Sequence, residues 1–250
     1  RRKRIVKLLE ERGEVAVGDL LQELSVSEAT VRRDLAVLDD SGVLTRTFGG
    51  ARLRETPSLV VQTLEQKLRV MRAEKERIAR RAAQLVEPGM SVGLDSGSTT
   101  WRVAAALKEK APLDIVTNAL PAIEELGAVE GIQINCVGGR FRRSNLDFMG
   151  NEAAQALRAL HVNIAFMGID SLIPGRGVYT DSQEDAQSHK VLGEIADTCV
   201  AVADHTKVNT RGVFLGLRAD QIDCLIMDGG LDDETRALLE ADPYDLVITE

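Results

Sequence analysis

Two stretches of this sequence carry side chains whose types and spacing can do chemistry on an anion. The first is Gly93-Leu94-Asp95-Ser96-Gly97-Ser98-Thr99-Thr100, which stands between a strand-like run and a helix-like one. A loop of Gly, Ser and Thr entering a helix N-terminus presents backbone N–H groups, hydroxyls and the positive end of a dipole, and that combination receives phosphate. The same residues also suit a plain strand–helix turn with a Ser/Thr cap. Ser98 and Thr99 are the expected phosphate holders, with Lys207 or Arg140 adding charge. Asp95 would repel a phosphate at close range, so it is assigned to backbone hydrogen bonds or to a ligand hydroxyl. Further polar candidates stand where apolar runs end: Asn118, Gly139 with Arg140, Gly168 with Asp170, and Asp204 with Lys207. Ligands of open α/β sheets lie beyond the carboxyl ends of the strands, so these loops are expected to converge on one polar pocket. Glu184 and Lys190 fall in or near a later helix, where a solvated pair is the simpler reading.

The second stretch is Ser27-Glu28-Ala29-Thr30-Val31-Arg32-Arg33-Asp34-Leu35. Ser27 is a good helix N-cap, because its hydroxyl can accept a free N–H of the first turn. At 3.6 residues per turn Val31, Leu35 and Leu38 share one face; Ala29 and Arg33 fall opposite, flanked by Thr30 and Arg32. Such a helix suits the DNA major groove, where Arg donates twice to guanine and Ser or Thr reaches phosphates. After it come Arg46, Gly49, Gly50 and Arg52 in a hairpin-like stretch, Val43 to Leu53. Glycines let a tight turn approach DNA, and the two arginines can meet phosphate or minor-groove edges.

Elements must exist to hold these residues. Helical spacing is expected over residues 2–12, Val17 to Leu24 and Glu28 to about Asp40, with stops at Gly13 and Ser41-Gly42. With a hairpin around Phe48-Gly49-Gly50, these elements make a winged helix-turn-helix. Thr56-Pro57 begins a polar connector, and helical periodicity returns at Glu74–Val86. Apolar runs then alternate with helices: Ser91–Leu94, Asp114–Thr117, Gln133–Val137, Ile164–Ile169, Thr198–Ala203, Cys224–Met227 and Leu246–Thr249. Helices are expected at Trp101–Lys108, Glu152–Leu160, Val191–Asp197 and Asp233–Leu239. Unbroken apolar strands separated by helices imply an α/β domain with a mostly parallel sheet covered on both faces. The expected divisions are a head over 1–54, a linker over 55–73 and an α/β domain over 74–250.

Composition bounds the function. The 250 residues are 44% hydrophobic and 28% charged, ordinary for a soluble globular chain, and only 3% aromatic. No run of 18 apolar residues occurs, so no membrane span is expected. Lys7, Glu10, Glu11 and Arg12 interrupt the region after the basic start, which argues against a secretory signal. Cys136, Cys199 and Cys224 are far apart and lie among apolar residues. They read as buried small hydrophobes in a reducing cytoplasm, with no metal-ligand spacing to the histidines and no cofactor implied. The net charge of −8 divides unevenly: residues 1–54 hold 11 Lys/Arg against 9 Asp/Glu, and the rest hold 20 against 30. DNA attraction depends on where charge sits, so the total excludes nothing.

Val26-Ser27-Glu28-Ala29-Thr30-Val31-Arg32-Arg33-Asp34-Leu35, then Leu44-Thr45-Arg46-Thr47-Phe48-Gly49-Gly50-Ala51, resembles the head of DeoR-family transcription regulators, V-S-x-x-T-[IV]-R-R-D-L followed by L-x-R-x-x-G-G-A. The resemblance continues in Asp95, Gly97, Ser98 and Thr99; Thr117 and Asn118; Gly138, Gly139 and Arg142; Phe166 and Gly168; Asp204, Thr206 and Lys207. Glu184 and Lys190 stand where the family has an acidic helix start and a downstream Lys, at a looser spacing. The resemblance implies a sensor domain similar in fold to ribose-phosphate isomerases, a phosphorylated sugar-like effector, and a repressor of carbohydrate metabolism. It also implies a double-stranded DNA operator as partner. One head reads few base pairs, so a homodimer or homotetramer is expected. The alternatives are an isomerase- or deaminase-like enzyme with an accessory head, and a ligand-free architectural protein. The related isomerases carry a D-G-A-D-E-like acid loop, where this chain has Gly168-Ile169-Asp170-Ser171. A ligand-free protein would leave the polar strand ends unexplained.

Overall fold

The computed structural model describes residues 1–12, 14–24, 26–40, 43–47, 49–53 and 63–250. They form two compact units, Arg1–Val70 and Met71–Glu250. Gly13, Ser41-Gly42, Phe48 and Thr56-Pro57, to which the sequence assigned stops, a hairpin tip and a connector, lie outside the described residues.

The first unit runs α1 (Arg2–Arg12), β1 (Glu14–Ala16), α2 (Val17–Leu24), α3 (Glu28–Asp40), β2 (Leu44–Thr47), β3 (Gly50–Leu53) and α4 (Leu64–Arg69). Ile5, Leu8 and Leu9 of α1, Leu20 of α2, and Val31 and Leu35 of α3 bury their apolar stripes together with Val15, Leu44 and Ala51. That is the three-helix-and-wing arrangement expected from the periodicity. Strand β1 was not expected, since three residues leave no period to read. It completes an antiparallel sheet in the order β1-β3-β2. Gly50 is required there, because a Cβ would lie 2.5 Å from the Val15 carbonyl oxygen. Helix α4 falls inside the stretch read as linker, and Thr63 caps it in a reciprocal box with Gln66.

The second unit runs α5 (Arg72–Ala83), β4 (Ser91–Leu94), α6 (Ser98–Leu107), β5 (Leu113–Thr117), α7 (Leu120–Leu126), β6 (Ile132–Cys136), β7 (Arg140–Arg142), β8 (Asp147–Met149) and α8 (Asn151–Arg158). It continues with β9 (Val162–Gly168), β10 (Ser171–Ile173), β11 (Gly177–Thr180), α9 (Gln183–Ile195), β12 (Ala196–Ala203), β13 (Phe214–Arg218), β14 (Cys224–Asp228), α10 (Asp233–Glu240) and β15 (Asp245–Thr249). Seven strands form one sheet in the order β15-β14-β12-β9-β4-β5-β6, parallel throughout. Every one of these seven was expected, within two residues at either end. Residues 196 and 197, expected to end a helix, begin β12 instead.

Side chains alternate between two cores. Val92, Leu94, Ile164, Phe166, Val200, Val202 and Ile226 pack on α5, α6 and α7. Met167, Cys199, Ala201, Leu225 and Met227 pack on α8, α9 and α10. Both faces of the sheet are therefore buried, which is why its strands read as continuous apolar runs. From β4 the chain steps outward through β5 and β6, then returns to β9 on the other side of β4. The order reverses between β4 and β9, the place where open α/β sheets bind ligands. Two further sheets, the β7–β8 hairpin and an antiparallel β10-β11-β13 layer, border this end of the molecule.

Candidate functional site

In the head, Glu28, Ala29, Arg32 and Arg33 are exposed on α3, while Val31 and Leu35 are buried on its other side. Ser27 begins the helix: its carbonyl accepts from the N–H groups of Thr30 and Val31, and its hydroxyl meets that of Thr30 at 2.8 Å. The two neighbouring arginines differ. Arg32 donates to Glu28 at 2.9 and 2.6 Å, one turn away. Arg33 makes no ion pair among the described residues. Asp34, which sequence reasoning passed over, is buried and accepts from Arg2 at 3.0 Å and from Arg1. It ties α3 to α1, and those guanidinium groups hold its carboxyl below the usual carboxylate range despite its burial.

The register of the wing places its two arginines. Arg46 pairs in register with Ala51, and Thr45 with Arg52. Directly opposed residues share a face, so Arg46 lies on the Leu44/Ala51 face and Arg52 on the reverse. Both are exposed, but they do not form one basic patch. Gly49 is exposed with φ +105°, a conformation that glycine adopts at little cost.

In the second unit the strand ends carry the expected polar loops. At the end of β4, Asp95, Ser96, Ser98, Thr99 and Thr100 are all buried. Gly97, the N-cap of α6, has φ +135° and no side chain to cap the first-turn amides, and no side-chain hydrogen bond to them is made among the described residues. Thr100 instead donates its hydroxyl to the Gly97 carbonyl at 3.1 Å. Gly168 lies against this loop from β9: a Cβ on it would stand 3.5 Å from the Ser96 carbonyl oxygen. Thr117 donates to the Leu94 carbonyl at 2.8 Å, which fixes the end of β5 to that of β4.

Asp95 has a partner that the sequence did not reveal. His189, from the second turn of α9, meets its Oδ2 at 3.1 Å, and both side chains are buried. Burial drives the Asp95 carboxyl upward. Burial alone would lower His189, but Asp95, with Asp185 and Asp170, outweighs it and holds the imidazole above its ordinary value. The pair therefore keeps a shared proton more firmly than either group would alone. Asp185 is itself bound by Arg142 at 2.9 and 2.6 Å, and Arg142 also grips Asp147. One chain of charge thus links the β4 loop, α9 and the β7–β8 hairpin. The sequence singles out Asp95 and Arg142 but not their connection, because the members of the chain are up to 94 residues apart.

The other expected residues fare differently. Asn118 is buried and donates to the Phe148 carbonyl and the Met149 sulfur, both at 3.2 Å. A small recess opens beside it, lined by Met149, Ala153, Leu157, Glu184 and Ser188 among others, and the buried Ser188 hydroxyl has no hydrogen-bond partner among the described residues. Glu184 binds Arg140 rather than Lys190, which is exposed. The six-residue spacing of Glu184 and Lys190 sets them on different sides of α9, so the expected pair does not form. Gly139 is explained by packing, since a Cβ would lie 2.7 Å from the Met149 carbonyl oxygen. Asp170 is exposed just past β9, and its carbonyl accepts from Thr210. Beyond β12, Asp204 accepts from the Thr206 N–H at 3.1 Å, and its other oxygen is 3.7 Å from the buried Lys75 ammonium. Lys207 follows in that turn, half-buried. Arg140 and Lys207 thus follow strands on opposite sides of β4, β6 and β12, each two places away in the sheet order.

The chain matches the DeoR-like helix-turn-helix domain over residues 1–56 and the DeoR C-terminal sensor domain over residues 70–229. An Escherichia coli O157:H7 protein named for repression of the aga operon is 33% identical over 92% of this chain and 86% of its own. Transcriptional repressor AccR of Agrobacterium fabrum is 32% identical over 98% and 94%. The lactose phosphotransferase system repressor of Streptococcus mutans is 31% identical over 94% and 93%. Among solved structures, ribose 5-phosphate isomerase A from Methanocaldococcus jannaschii aligns at TM-score 0.42 with 20% identity, over 55% of each chain. No helix among the described residues is long and apolar enough to cross a membrane. With a head match over residues 1–56 and a sensor match over 70–229, this chain belongs to the DeoR family of DNA-binding transcription regulators.

Proposed function

We propose that the protein represses a carbohydrate-metabolism operon and that a phosphorylated sugar or a close derivative controls its hold on the operator. The observation that carries this reading is the Gly97-Ser98-Thr99 loop, with Ser98 and Thr99 buried, which leads into an α6 N-terminus with no side-chain cap among the described residues at the topological switch of a parallel sheet. Uncapped amides at a helix N-terminus favour an oxyanion. Asp95, Thr100, Asn118, Gly168, Asp170 and Glu184 border the sugar, with Arg140 and Lys207 as flanking cations. Ser27, Thr30, Arg32 and Arg33 meet DNA from α3, and Arg46, Gly49, Gly50 and Arg52 meet it from the wing. The protein acts in the cytoplasm as a homodimer or homotetramer on repeated half-sites. The names of the relatives, which record repressors and, in one case, a lactose phosphotransferase system, support the same direction. The test is a thermal-shift screen of the full chain against hexose and pentose phosphates and their unphosphorylated sugars. Stabilisation by a phosphorylated compound, and not by its parent sugar, is expected. Equal responses to both would refute the phosphate loop.

A further inference from the structure

Asp95 poses a problem for any anion at the α6 terminus. Its carboxylate stands two residues before the Gly97 cap, inside the same buried loop, and an ionised oxygen there opposes an incoming dianion. The only imidazole of α9 meets that carboxylate at 3.1 Å. Three carboxylates surround the ring: Asp95 from the β4 loop, Asp170 from beyond β9, and Asp185 from its own helix. Of these, Asp185 is neutralised by Arg142, which Asp147 shares. Strand β13 meets the ring with Gly216, which carries no charge; a Cβ there would stand 2.7 Å from Nδ1. Nδ1 is buried and has no hydrogen-bond partner among the described residues. Full protonation would leave that N–H without an acceptor, so the carboxylates favour the imidazolium while its own surroundings hold it back. A ring so balanced responds to one further negative charge nearby.

We propose that His189 is a positioning residue of the effector site, and that binding of a tetrahedral dianion at Gly97–Thr99 is coupled to a proton held by the Asp95–His189 pair. The proton offsets Asp95, so the loop offers the anion a neutral neighbour instead of a repelling one. This rests on the reading of the loop as the effector's phosphate site. By linkage, a proton favoured by the bound form raises the titration midpoint of His189 when the anion is present, and anion binding weakens as pH rises from the free midpoint to the raised one. The loss is at most about tenfold per pH unit within that window and levels off above it.

Inorganic sulfate is the probe, because it is a tetrahedral dianion that does not itself titrate near neutrality. The chain has three histidines, so their imidazole NMR signals can be followed separately against pH, at constant ionic strength, with chloride or sulfate. Sulfate is expected to raise the His189 midpoint and to leave that of the exposed His161 unchanged. His189→Gln keeps a donor for Asp95 but cannot hold the charge; it should weaken sulfate binding at pH 6.5 and abolish the pH dependence. Asp95→Asn in the His189→Gln background should restore binding without restoring the pH dependence. Backbone amide shifts at Thr99 report whether sulfate occupies the loop. If they move while the His189 midpoint stays fixed, the proton coupling is overturned and the loop reading stands. If sulfate leaves the Thr99 amide unmoved, the site itself is lost, and the inference with it. Wild-type affinity and pH slope in His189→Gln also overturn the proposal.

Discussion

Arg32 and Arg33 are adjacent in sequence and unequal in structure, which makes the operator affinity of their variants a sharp test of the head. Arg33 stands on the exposed face of α3 without an ion pair among the described residues. If it donates twice to a guanine, Arg33→Ala should cost about 1–3 kcal/mol, which weakens operator binding by about 5- to 150-fold. Arg32 is held by Glu28, in a pair whose side chains are 60% and 55% exposed. Such screened i,i+4 pairs are worth about 0.3–0.5 kcal/mol, and Arg32 must give that up to reach a phosphate. Arg32→Ala should therefore weaken specific and nonspecific DNA alike, and lower the salt slope by about one contact. Glu28→Gln releases Arg32 and removes a negative charge from the exposed face of α3. It should tighten binding about twofold, and a cycle with Arg32→Ala should erase the gain. The assay is fluorescence anisotropy with a labelled operator duplex at several salt concentrations, on variants whose Tm matches the wild type. Unchanged affinity in Arg33→Ala at matched salt, or weaker binding in Glu28→Gln, would refute this assignment of the helix face.

Three further outcomes are expected. Asp34 is held below the usual carboxylate range, so its contribution is complete at neutral pH and is lost as pH falls through its folded value. Asp34→Asn should lower head stability by about 1.5 kcal/mol at pH 7, and the gap to wild type should close in acid, as read by denaturation at each pH. Thr99→Asp places a like charge in the buried loop and should abolish the response to sugar phosphates while operator affinity stays at the wild-type value; a surviving response would move the pocket elsewhere. Gly216→Ala drives a methyl to 2.7 Å from His189 Nδ1. It should cost about 1–3 kcal/mol of stability and weaken effector binding together, and a wild-type result in both would show that the ring has room to move.

How far each part could be read in advance follows from the range of the forces that set it. Helices α2 and α3 have the bounds their apolar spacing and local stop signals imply, because a helix is written within a single turn of sequence. The parallel strands were legible as runs because both faces are buried. Helix α9 was expected from Val191 and in fact starts at Gln183, capped by Ser182. Its first two turns are polar because Glu184, Asp185 and His189 face other charged groups rather than apolar core, and no apolar period survives such a use. The β10-β11-β13 layer and the β7–β8 hairpin are short and paired across long separations, so no local pattern declares them. Nothing local in the sequence distinguishes His189 from a packed core histidine. Asp95 is the instructive case: its conflict with a phosphate was visible in the residue order, while the group that relieves it came from another helix.

The two faces of the wing bear on DNA selection if the wing meets DNA as proposed. With Arg46 on one side of the sheet and Arg52 on the other, a wing lying along the duplex would present a cation to each of two opposed phosphate walls. The energy of that arrangement depends on how far apart the walls stand. A narrow, A-tract-like minor groove brings both backbones within reach and concentrates negative potential on the inserted guanidinium groups, whereas a wide one leaves one arginine stranded. Selection of this kind acts on the stiffness and width of base pairs that no side chain touches, and it would appear as sequence preference in the flanks of each half-site.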